Sequence, residues 1–277
     1  MNRVGELILC AVLLLSQNAM AGIDDAVAAL KRGDMETAFR GFLKEAEGGD
    51  RRAQDMVGFM YRDGIGVARN DREAVKWLRA AAEQGLATAQ MKLGYMYDQG
   101  RGVPKDYTQA VKWYRLAADQ GHGPAQHNLF MMYANGIGVA KDEKEGVSWL
   151  RRAAEGGFAP AQTRLGNMSR TGQMVPRDNA AAVGWLRRAA EQGDREAQYN
   201  LGMHYSLGVG IERDPVQAYA WYELAADGCR GLAREQECLR ERKGAVAGIS
   251  ADEIERAKSL EQDLRRSIAA RRGQPQK

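Results

Sequence analysis

AQMKLGYMYDQGRGVPKDYTQAVKWYRLAADQGHGP, residues 89–124, is the clearest copy of a unit that recurs every 36 residues along this chain. Five copies align in register, and each of them contains one tryptophan. The five tryptophans of the 277-residue chain are therefore evenly spaced, at Trp77, Trp113, Trp149, Trp185 and Trp221. A constant period of this length is typical of proteins that stack copies of one supersecondary unit. The chain is predicted to be such a stack.

The first half of the unit has the pattern of an amphipathic helix. In the quoted copy, Leu93, Met96 and Tyr97 lie on one stripe, with Ala89 one turn earlier, so this side is predicted to face a core. Gly94 lies on the same side, where a glycine inside a helix costs about 1 kcal/mol relative to alanine. We expect a neighbouring helix to approach closely at Gly94 and to offset that cost.

The second half of the unit has the pattern of another helix, with its own start and stop signals. One repeat position is suited to capping a helix N-terminus, and it holds Asn70, Asp106, Asp142, Asp178 and Asp214. Glutamate or glutamine follows three residues later in four of the five copies, which predicts a capping box. Four of these helices are followed by a glycine suited to a left-handed C-terminal cap, at Gly85, Gly121, Gly157 and Gly193.

A Gly-x-Gly loop joins the two halves of each unit, as Gly100 and Gly102 do in the quoted copy. The fourth copy departs from this pattern, because Met174 stands where the second glycine is expected. The loops recur with the repeat and no strand pattern precedes them. We therefore interpret them as turns rather than as nucleotide-binding loops.

The tryptophan ladder has two interpretations. Regularly spaced rings could be a stacking platform for bases or sugars, or they could form the seam between successive units. Each tryptophan lies in an apolar stripe, as Trp77 does among Ala74, Leu78 and Ala81. This placement favours the core, where one indole ring buries roughly 150–250 Å².

The repeat has a recognisable pattern: Ala-x-x-x-Leu-Gly-x-Met-Tyr-x-x-Gly-x-Gly-Val, then Asp, then Ala-x-x-Trp-Tyr-x-x-Ala-Ala-x-x-Gly. It resembles the Sel1-like repeat, a relative of the tetratricopeptide repeat, over residues 53–228. The resemblance implies an all-α fold, a right-handed α-solenoid of helix-turn-helix repeats whose first helices line a concave face. It also implies adaptor roles in bacterial envelope assembly, signalling or host interaction. The chain departs from the pattern at Phe130, Ser169, Met174 and Cys229.

The resemblance further implies a partner-binding surface on the first helices. Carried over from the tetratricopeptide pattern, its positions lie two residues before, two after and five after the central leucine of each copy. These positions hold Asp55, Phe59, Arg62, Met91, Tyr95, Asp98, His127, Met131, Ala134, Thr163, Asn167, Arg170, Tyr199, Met203 and Ser206. Methionine and aromatic side chains with few charges suit a helix or an extended segment of another protein. The alternative is that some of these side chains pack between adjacent first helices.

The N-terminal segment, residues 1–21, has the pattern of a signal peptide. Arg3 precedes an apolar run that is too short to span a membrane comfortably, and Ala19-Met20-Ala21 fits an A-x-A cleavage site. We therefore expect a periplasmic or secreted protein without stable membrane insertion after cleavage. Glu6 lies in front of the apolar run, and the alternative is a cytosolic scaffold whose start has been misassigned.

The remaining segments flank the five copies. Residues 22–52 are expected to form an incomplete repeat that caps the N-terminal end of the stack. Residues 229–270 are expected to form C-terminal capping helices, and residues 271–277 a disordered tail. Cys229 and Cys238 could form a disulfide if the chain turns between them, and two free thiols are the alternative.

Charge and histidine placement exclude several classes of ligand. The net charge is +4 and the isoelectric point about 8.9, but basic and acidic residues are interspersed, so we expect no nucleic-acid partner. His122, His127 and His204 do not cluster in sequence, and no metal site or cofactor is expected.

No catalytic motif is present in the sequence, which lacks S-x-x-K, H-E-x-x-H and G-x-S-x-G. We expect a monomeric, non-enzymatic module that binds a segment of an envelope, secretion or signalling protein in its concave groove. The alternative is a cell-wall-directed enzyme or ligand-binding protein. Cysteine-rich relatives have been associated with β-lactamase-like or penicillin-binding activity, but this chain has no cysteine pair inside its repeats.

Overall fold

The computed structural model describes residues 21–226, 240, 244 and 249–272. The predictions for residues 1–20, for the pair Cys229 and Cys238, and for the last five residues lie outside this part of the chain. The described residues form thirteen α-helices and no strand, which confirms the all-α fold class. The helices are α1 Ala21–Arg32, α2 Met35–Glu47, α3 Arg51–Asp63, α4 Asp71–Glu83, α5 Ala87–Gln99, α6 Tyr107–Asp119, α7 Gly123–Asn135, α8 Glu143–Glu155, α9 Ala159–Thr171, α10 Asn179–Ala190, α11 Arg195–Leu207, α12 Pro215–Ala226 and α13 Ala251–Arg272.

Each repeat contributes two helices in the predicted order. We call the first members A helices (α3, α5, α7, α9 and α11) and the second members B helices (α4, α6, α8, α10 and α12). All five A helices end at a glycine in the left-handed conformation, the first glycine of the Gly-x-Gly loop. The glycines predicted to follow the B helices also have positive φ, between 80° at Gly85 and 91° at Gly157. The turn chemistry inferred from the repeat is therefore present in the structure.

The N-caps of the B helices confirm one half of the predicted capping box and contradict the other. Each cap side chain accepts hydrogen bonds from backbone N–H groups in its helix, as Asp106 does from Gln109 at 3.0 Å. The reciprocal bond is not formed, because the N–H of the cap residue already donates to the A helix of the same repeat. Asp106 N–H binds the Tyr97 carbonyl at 3.0 Å, and the other four copies repeat this contact.

The described residues divide into two compact units, an N-terminal unit (Met1–Gly146) and a C-terminal unit (Val147–Lys277). In the N-terminal unit the incomplete repeat packs against the first full one. Phe42 of α2 is fully buried in a cluster with Leu30 of α1 and with Val57 and Met60 of α3. Gly41, which stands at the tryptophan position, lets α1 come close, because a Cβ there would lie 2.8 Å from the Ala26 Cβ.

Close contact between paired helices explains the mid-helix glycine. A Cβ added to Gly94 would lie 2.7 Å from the buried ring of Tyr114, as predicted from the pattern of α5. In the third copy Phe130 replaces this glycine, and the glycine that permits close contact lies on the B helix of the same repeat. There Gly146 faces α7, and a Cβ on it would lie 3.2 Å from the Phe130 carbonyl oxygen.

In the C-terminal unit the last helix covers the end of the stack. Ala257 and Ile268 of α13 are buried, and Ile268 joins a cluster with Leu201 of α11 and Tyr222 of α12. The capping box predicted for α13 is complete, because Ser250 N–H donates to Glu253 at 2.8 Å and Glu253 N–H donates to the Ser250 hydroxyl at 3.3 Å. The helix extends to Arg272, two residues past the boundary expected from sequence, and Arg271 pairs with Glu191 of α10 at 2.9 Å.

The tryptophans lie in the packing seam, which supports the core interpretation. Trp113, Trp149 and Trp221 are buried. Trp77 and Trp185 are half-buried, and a cation from the same helix lies over each ring, Lys76 at 5.2 Å and Arg188 at 4.8 Å from the centroid.

Candidate partner-binding surface

The residues proposed to contact a partner lie on the A helices, and we call their outward positions the A-helix face. In the N-terminal unit this face belongs to α3, α5 and α7, and in the C-terminal unit to α9 and α11. Its residues differ widely in exposure. Only Tyr95 and Met131 are exposed, whereas Asp55, Ala134 and Thr163 are buried, and the remaining residues proposed for this surface are half-buried.

Asp55 is used to join two repeats rather than to meet solvent. It is 7% exposed, and its carboxylate accepts from Lys92 Nζ at 2.8 and 2.9 Å and from the Thr88 hydroxyl at 3.0 Å. Both partners belong to α5, the A helix of the next repeat. A charge as buried as this is stable only when it is paired and hydrogen-bonded, and Asp55 satisfies both conditions.

Phe59 lies between two cations on the same surface. The Arg62 guanidinium carbon is 4.7 Å and Lys92 Nζ 5.4 Å from the centroid of its ring. Arg62 is itself paired with Asp63 at 2.8 Å. The charges around Phe59 are thus balanced within the protein, and this end of the face offers an aromatic surface without net charge.

Tyr95 and Met131 are the two large side chains that this face leaves in solvent. They occupy equivalent positions of α5 and α7, and they are 38% and 39% exposed. Met91 and His127 lie one turn before them and are half-buried. The hydroxyl of buried Tyr114 forms a hydrogen bond with Asp98. Burial is the main cause of the raised pKa of Tyr114.

In the C-terminal unit the A-helix face has a polar ladder. Asn200 of α11 donates to the Asn167 side-chain oxygen at 2.8 Å, and Asn167 donates to Glu196 at 2.9 Å. Arg170 is half-buried, and its Nε is buried without a hydrogen-bond partner. Tyr199 packs against Tyr222 with ring centroids 5.6 Å apart, and Met203 packs against the same core cluster.

His122 and His204 have different surroundings. His122 caps α7 by accepting from Ala125 N–H at 3.4 Å, and burial lowers its pKa. His204 occupies the position that holds methionine in the other four copies, where it is 1% exposed and its Nδ1 lies 2.6 Å from the Val209 carbonyl oxygen. Burial, and secondarily the charge of Arg170, lower the pKa of His204, so its imidazole is neutral at pH 7.

Two other kinds of site are absent from the described residues. They contain no group of three or more His, Cys, Asp or Glu side chains that could hold a metal ion. No helix in the same ranges is both long and apolar enough to cross a membrane.

Lys92, Glu196 and Asn200 belong to the face but were missed from sequence. The sequence separation between the bonded residues could have identified two of them. Lys92 follows Asp55 by 37 residues, one more than the repeat length. Asn200 follows Asn167 by 33 residues, three fewer than the repeat length. Both separations place the two residues on neighbouring A helices, within one helical turn of equivalent positions, where they can touch.

The family model described as Sel1 repeat matches residues 51–86, 87–122, 123–158, 159–194 and 195–228. These segments cover well over half of the sequence. The chain belongs to the Sel1 repeat family. Sel1 repeats generally mediate protein–protein interactions, and their all-α solenoid is typically a non-enzymatic scaffold.

Two solved structures support the assignment to Sel1 repeats. The chain is similar to a Sel1 repeat protein from Oxalobacter formigenes, with 31% identity, a TM-score of 0.68, and coverage of 93% of this chain and 100% of that one. It is also similar to c5321, a protective antigen of uropathogenic Escherichia coli strains with an SLR fold. That likeness has 29% identity and a TM-score of 0.51, and it covers 88% of this chain and 60% of that one. No curated protein matches the sequence.

Proposed function

We propose that this Sel1 repeat protein is a non-catalytic interaction module that binds a helix or an extended segment of another protein. The binding surface is the A-helix face of the N-terminal unit. The observation that carries the proposal is the pair Tyr95 and Met131, two large side chains exposed at equivalent positions of neighbouring helices. On the same face, the ion pairs Lys92–Asp55 and Arg62–Asp63 neutralise the charged groups around Phe59.

The chemistry of the two side chains suits protein recognition. A tyrosine supplies a large contact area at a low cost in side-chain entropy, and tyrosines are enriched among the residues that dominate binding energy. Methionine adapts its shape to different apolar partners. Half-buried Met91 of α5 and Phe59 of α3 extend the apolar surface on the same face. The occupant expected here is a segment with apolar side chains at helical or alternating spacing.

A double variant, Tyr95→Glu with Met131→Glu, tests the surface. Affinity capture from a periplasmic extract would compare the parent protein, this variant and a Leu116→Glu control. Leu116 is 41% exposed on α6, a B helix of the same unit, so the control places a charge on an equally exposed apolar side chain away from the face. A protein retained by the parent and by the control, but not by the double variant, is the expected result.

The strength of the effect can be measured once that protein is known. Two charges in the apolar contact are expected to weaken binding by at least about 2 kcal/mol, or roughly thirtyfold. Circular dichroism would establish that all three proteins remain equally helical. Undiminished affinity of a folded Tyr95→Glu/Met131→Glu protein would reject the A-helix face of this unit as the binding surface.

We also propose that the protein is exported and acts as a monomer in the periplasm or outside the cell. The basis is the pattern of residues 1–21, with Arg3, an apolar run and the A-x-A sequence. The mass of the protein isolated from cells tests this, and a mature N-terminus at Gly22 is expected. A protein that retains Met1 and fractionates with the cytosol would favour the cytosolic scaffold instead. Sedimentation of the same sample gives the oligomeric state.

A further inference from the structure

Arg170 differs from its counterpart in the first repeat by lacking a carboxylate beside it. Arg62 occupies the same repeat position, and the next residue, Asp63, holds its guanidinium through two hydrogen bonds of 2.8 and 2.9 Å. After Arg170 comes Thr171, whose hydroxyl donates to the Asn167 carbonyl oxygen at 2.9 Å. Within the described residues the structure gives Arg170 neither a hydrogen bond nor an ion pair, so its charge is not compensated as that of Arg62 is.

The Nε–H group of Arg170 is also unsatisfied. This nitrogen is buried and has no acceptor, although Arg170 as a whole is partly exposed. A buried donor left without an acceptor is destabilising, and the penalty is larger when the donor belongs to a charged group. Such an arrangement is favourable when an acceptor arrives from outside the chain.

The neighbouring side chains do not supply that acceptor. Helices α9 and α11 carry a single acidic residue between them, Glu196, whose carboxylate is bound to Asn167. Glu196 lies in the first turn of α11, eight residues or about 12 Å along the helix axis before His204, whereas Arg170 lies in the last turn of α9. The buried Nε2 of His204 is an acceptor, because the Nδ1–H faces the Val209 carbonyl oxygen; it lies within the electrostatic range of Arg170 but forms no hydrogen bond with it.

We propose that the Arg170 guanidinium is the binding site for a carboxylate of the partner, so that the segment recognised by the C-terminal unit is acidic. Arginine presents a planar fork of donors that pairs with the two oxygens of a carboxylate. Because His204 is neutral, one guanidinium faces the incoming group, and its single charge matches one carboxylate. The assignment rests on the proposed function as a peptide-binding module. It concerns a different unit from Tyr95 and Met131, so the two can fail separately.

Peptide titration of the full-length protein, labelled with ¹⁵N, tests the site directly. The probes are a capped octaglutamate peptide and a capped octaglutamine peptide, and the readout is the Nε–Hε signal of Arg170, assigned by its loss in Arg170→Gln. Octaglutamate is expected to shift this signal to saturation, whereas octaglutamine leaves it in place. An octaglutamine peptide with a free C-terminal carboxylate distinguishes recognition of a chain end from recognition of acidic side chains.

Thr171 offers a matched pair of variants on an exposed position. Thr171→Asp supplies the carboxylate that Asp63 supplies to Arg62, and it is expected to weaken octaglutamate binding about tenfold or more, since an internal ion pair competes with the ligand. Thr171→Asn has nearly the same shape without the charge and is expected to bind like the parent. Neither change touches the core, so both variants are expected to fold and their affinities for octaglutamate can be compared directly.

Several results would overturn the carboxylate site. They are equal affinity for octaglutamate and octaglutamine, equal affinity of the Thr171→Asp and Thr171→Asn proteins, and tighter binding of inorganic phosphate than of octaglutamate at the same ionic strength. The Tyr95→Glu/Met131→Glu protein is expected to bind octaglutamate like the parent. That result separates the Arg170 site from the surface of the N-terminal unit, because a carboxylate site remains even when the apolar surface proves irrelevant.

Discussion

At the scale of single residues, Met174 shows how a departure from the repeat is accommodated. Its φ is 60°, and among the described residues it alone combines a left-handed backbone with a side chain. The glycines at the same loop position have φ between 67° at Gly66 and 75° at Gly210. The fourth repeat thus keeps the loop conformation of the others, although an L side chain in this region costs about 1 kcal/mol.

Replacing Met174 with glycine is therefore expected to raise the free energy of unfolding by about 1 kcal/mol. The converse change, Gly138→Ala, is expected to lower it by more than about 1 kcal/mol. A Cβ on Gly138 would lie 2.4 Å from the Tyr107 carbonyl oxygen, and φ there is also positive. Urea unfolding followed by circular dichroism measures both variants. A Met174→Gly protein less stable than the parent would contradict the assignment of strain.

His204 couples the stability of the fifth repeat to pH. Chiefly because the imidazole is buried, its pKa in the folded protein lies below the usual histidine value of 6.5. Below that value the unfolded chain binds a proton on this imidazole that the folded chain does not bind. The unfolded state then holds more protons, so the free energy of unfolding decreases as the pH falls from about 6.5 toward the folded pKa.

A His204→Met variant, which places the methionine of the other four copies at this position, is expected to flatten that dependence. Urea unfolding at pH 7.5 and pH 5.5 would show a smaller loss of stability in the variant than in the parent. The lowered pKa of His122 leaves a residual slope. Adding His122→Asp, which keeps a capping side chain, is expected to remove more of it. Parallel curves for parent and His204→Met would show that His204 titrates alike in the folded and unfolded chains.

At the scale of helix pairs, the position of glycine decides how closely A and B helices approach. Gly94 faces Tyr114, and Gly58 faces Leu78 with a Cβ distance of 2.8 Å to the Leu78 Cγ. The third repeat has the small residue on its B helix, Gly146, opposite Phe130. The helix spacing is thus preserved by one glycine per pair, on either partner. Gly184 is different, because nothing lies within 4 Å of a Cβ placed there.

Two alanine substitutions separate packing from helix propensity. Gly94→Ala is expected to destabilise the protein by about 1–3 kcal/mol, because the added methyl overlaps a buried ring that cannot move freely. Gly184→Ala, in the exposed interior of α10, is expected to stabilise it by about 1 kcal/mol through helix propensity alone. Thermal or urea unfolding of the two proteins should give opposite signs. A stabilising effect of Gly94→Ala would show that the helices do not need the close approach.

The helix ends show which local patterns survive in the structure. The predicted capping box is present at Ser250 and Glu253. Among the described residues, no backbone carbonyl from a distant part of the sequence accepts the N–H of Ser250, so this group is available to Glu253. The prediction was wrong in its reciprocal half for the B helices, where the N–H of Asp106 is taken by the Tyr97 carbonyl. A hairpin between two helices supplies that acceptor, and a pattern confined to four residues cannot reveal it.

At the scale of the whole molecule, the same contacts recur from one repeat to the next. The glutamine that follows the first alanine of each copy is buried and donates to the backbone of the helix before it, as Gln90 does to the Ala82 carbonyl at 3.1 Å. Three of these glutamines also accept from a glutamine in the turn that follows the B helix of their own repeat. Gln126 lacks this second bond, because Gly156 stands at the donor position. Stability in such a stack is expected to be a sum of repeats and their interfaces.

The helix pairs and the residues that face their cores could be predicted from sequence features alone. These features are the 36-residue period, the apolar stripes, the glycines and the caps. Each of these features acts within one repeat, so its physical cause is contained in a short stretch of sequence. The availability of the A-helix face was decided only by the packed structure. Asp55 is buried because Lys92 and Thr88 reach it from the next repeat, whereas Tyr95 and Met131 remain exposed. Exposure depends on neighbours that only folding brings together, and no local pattern contains them.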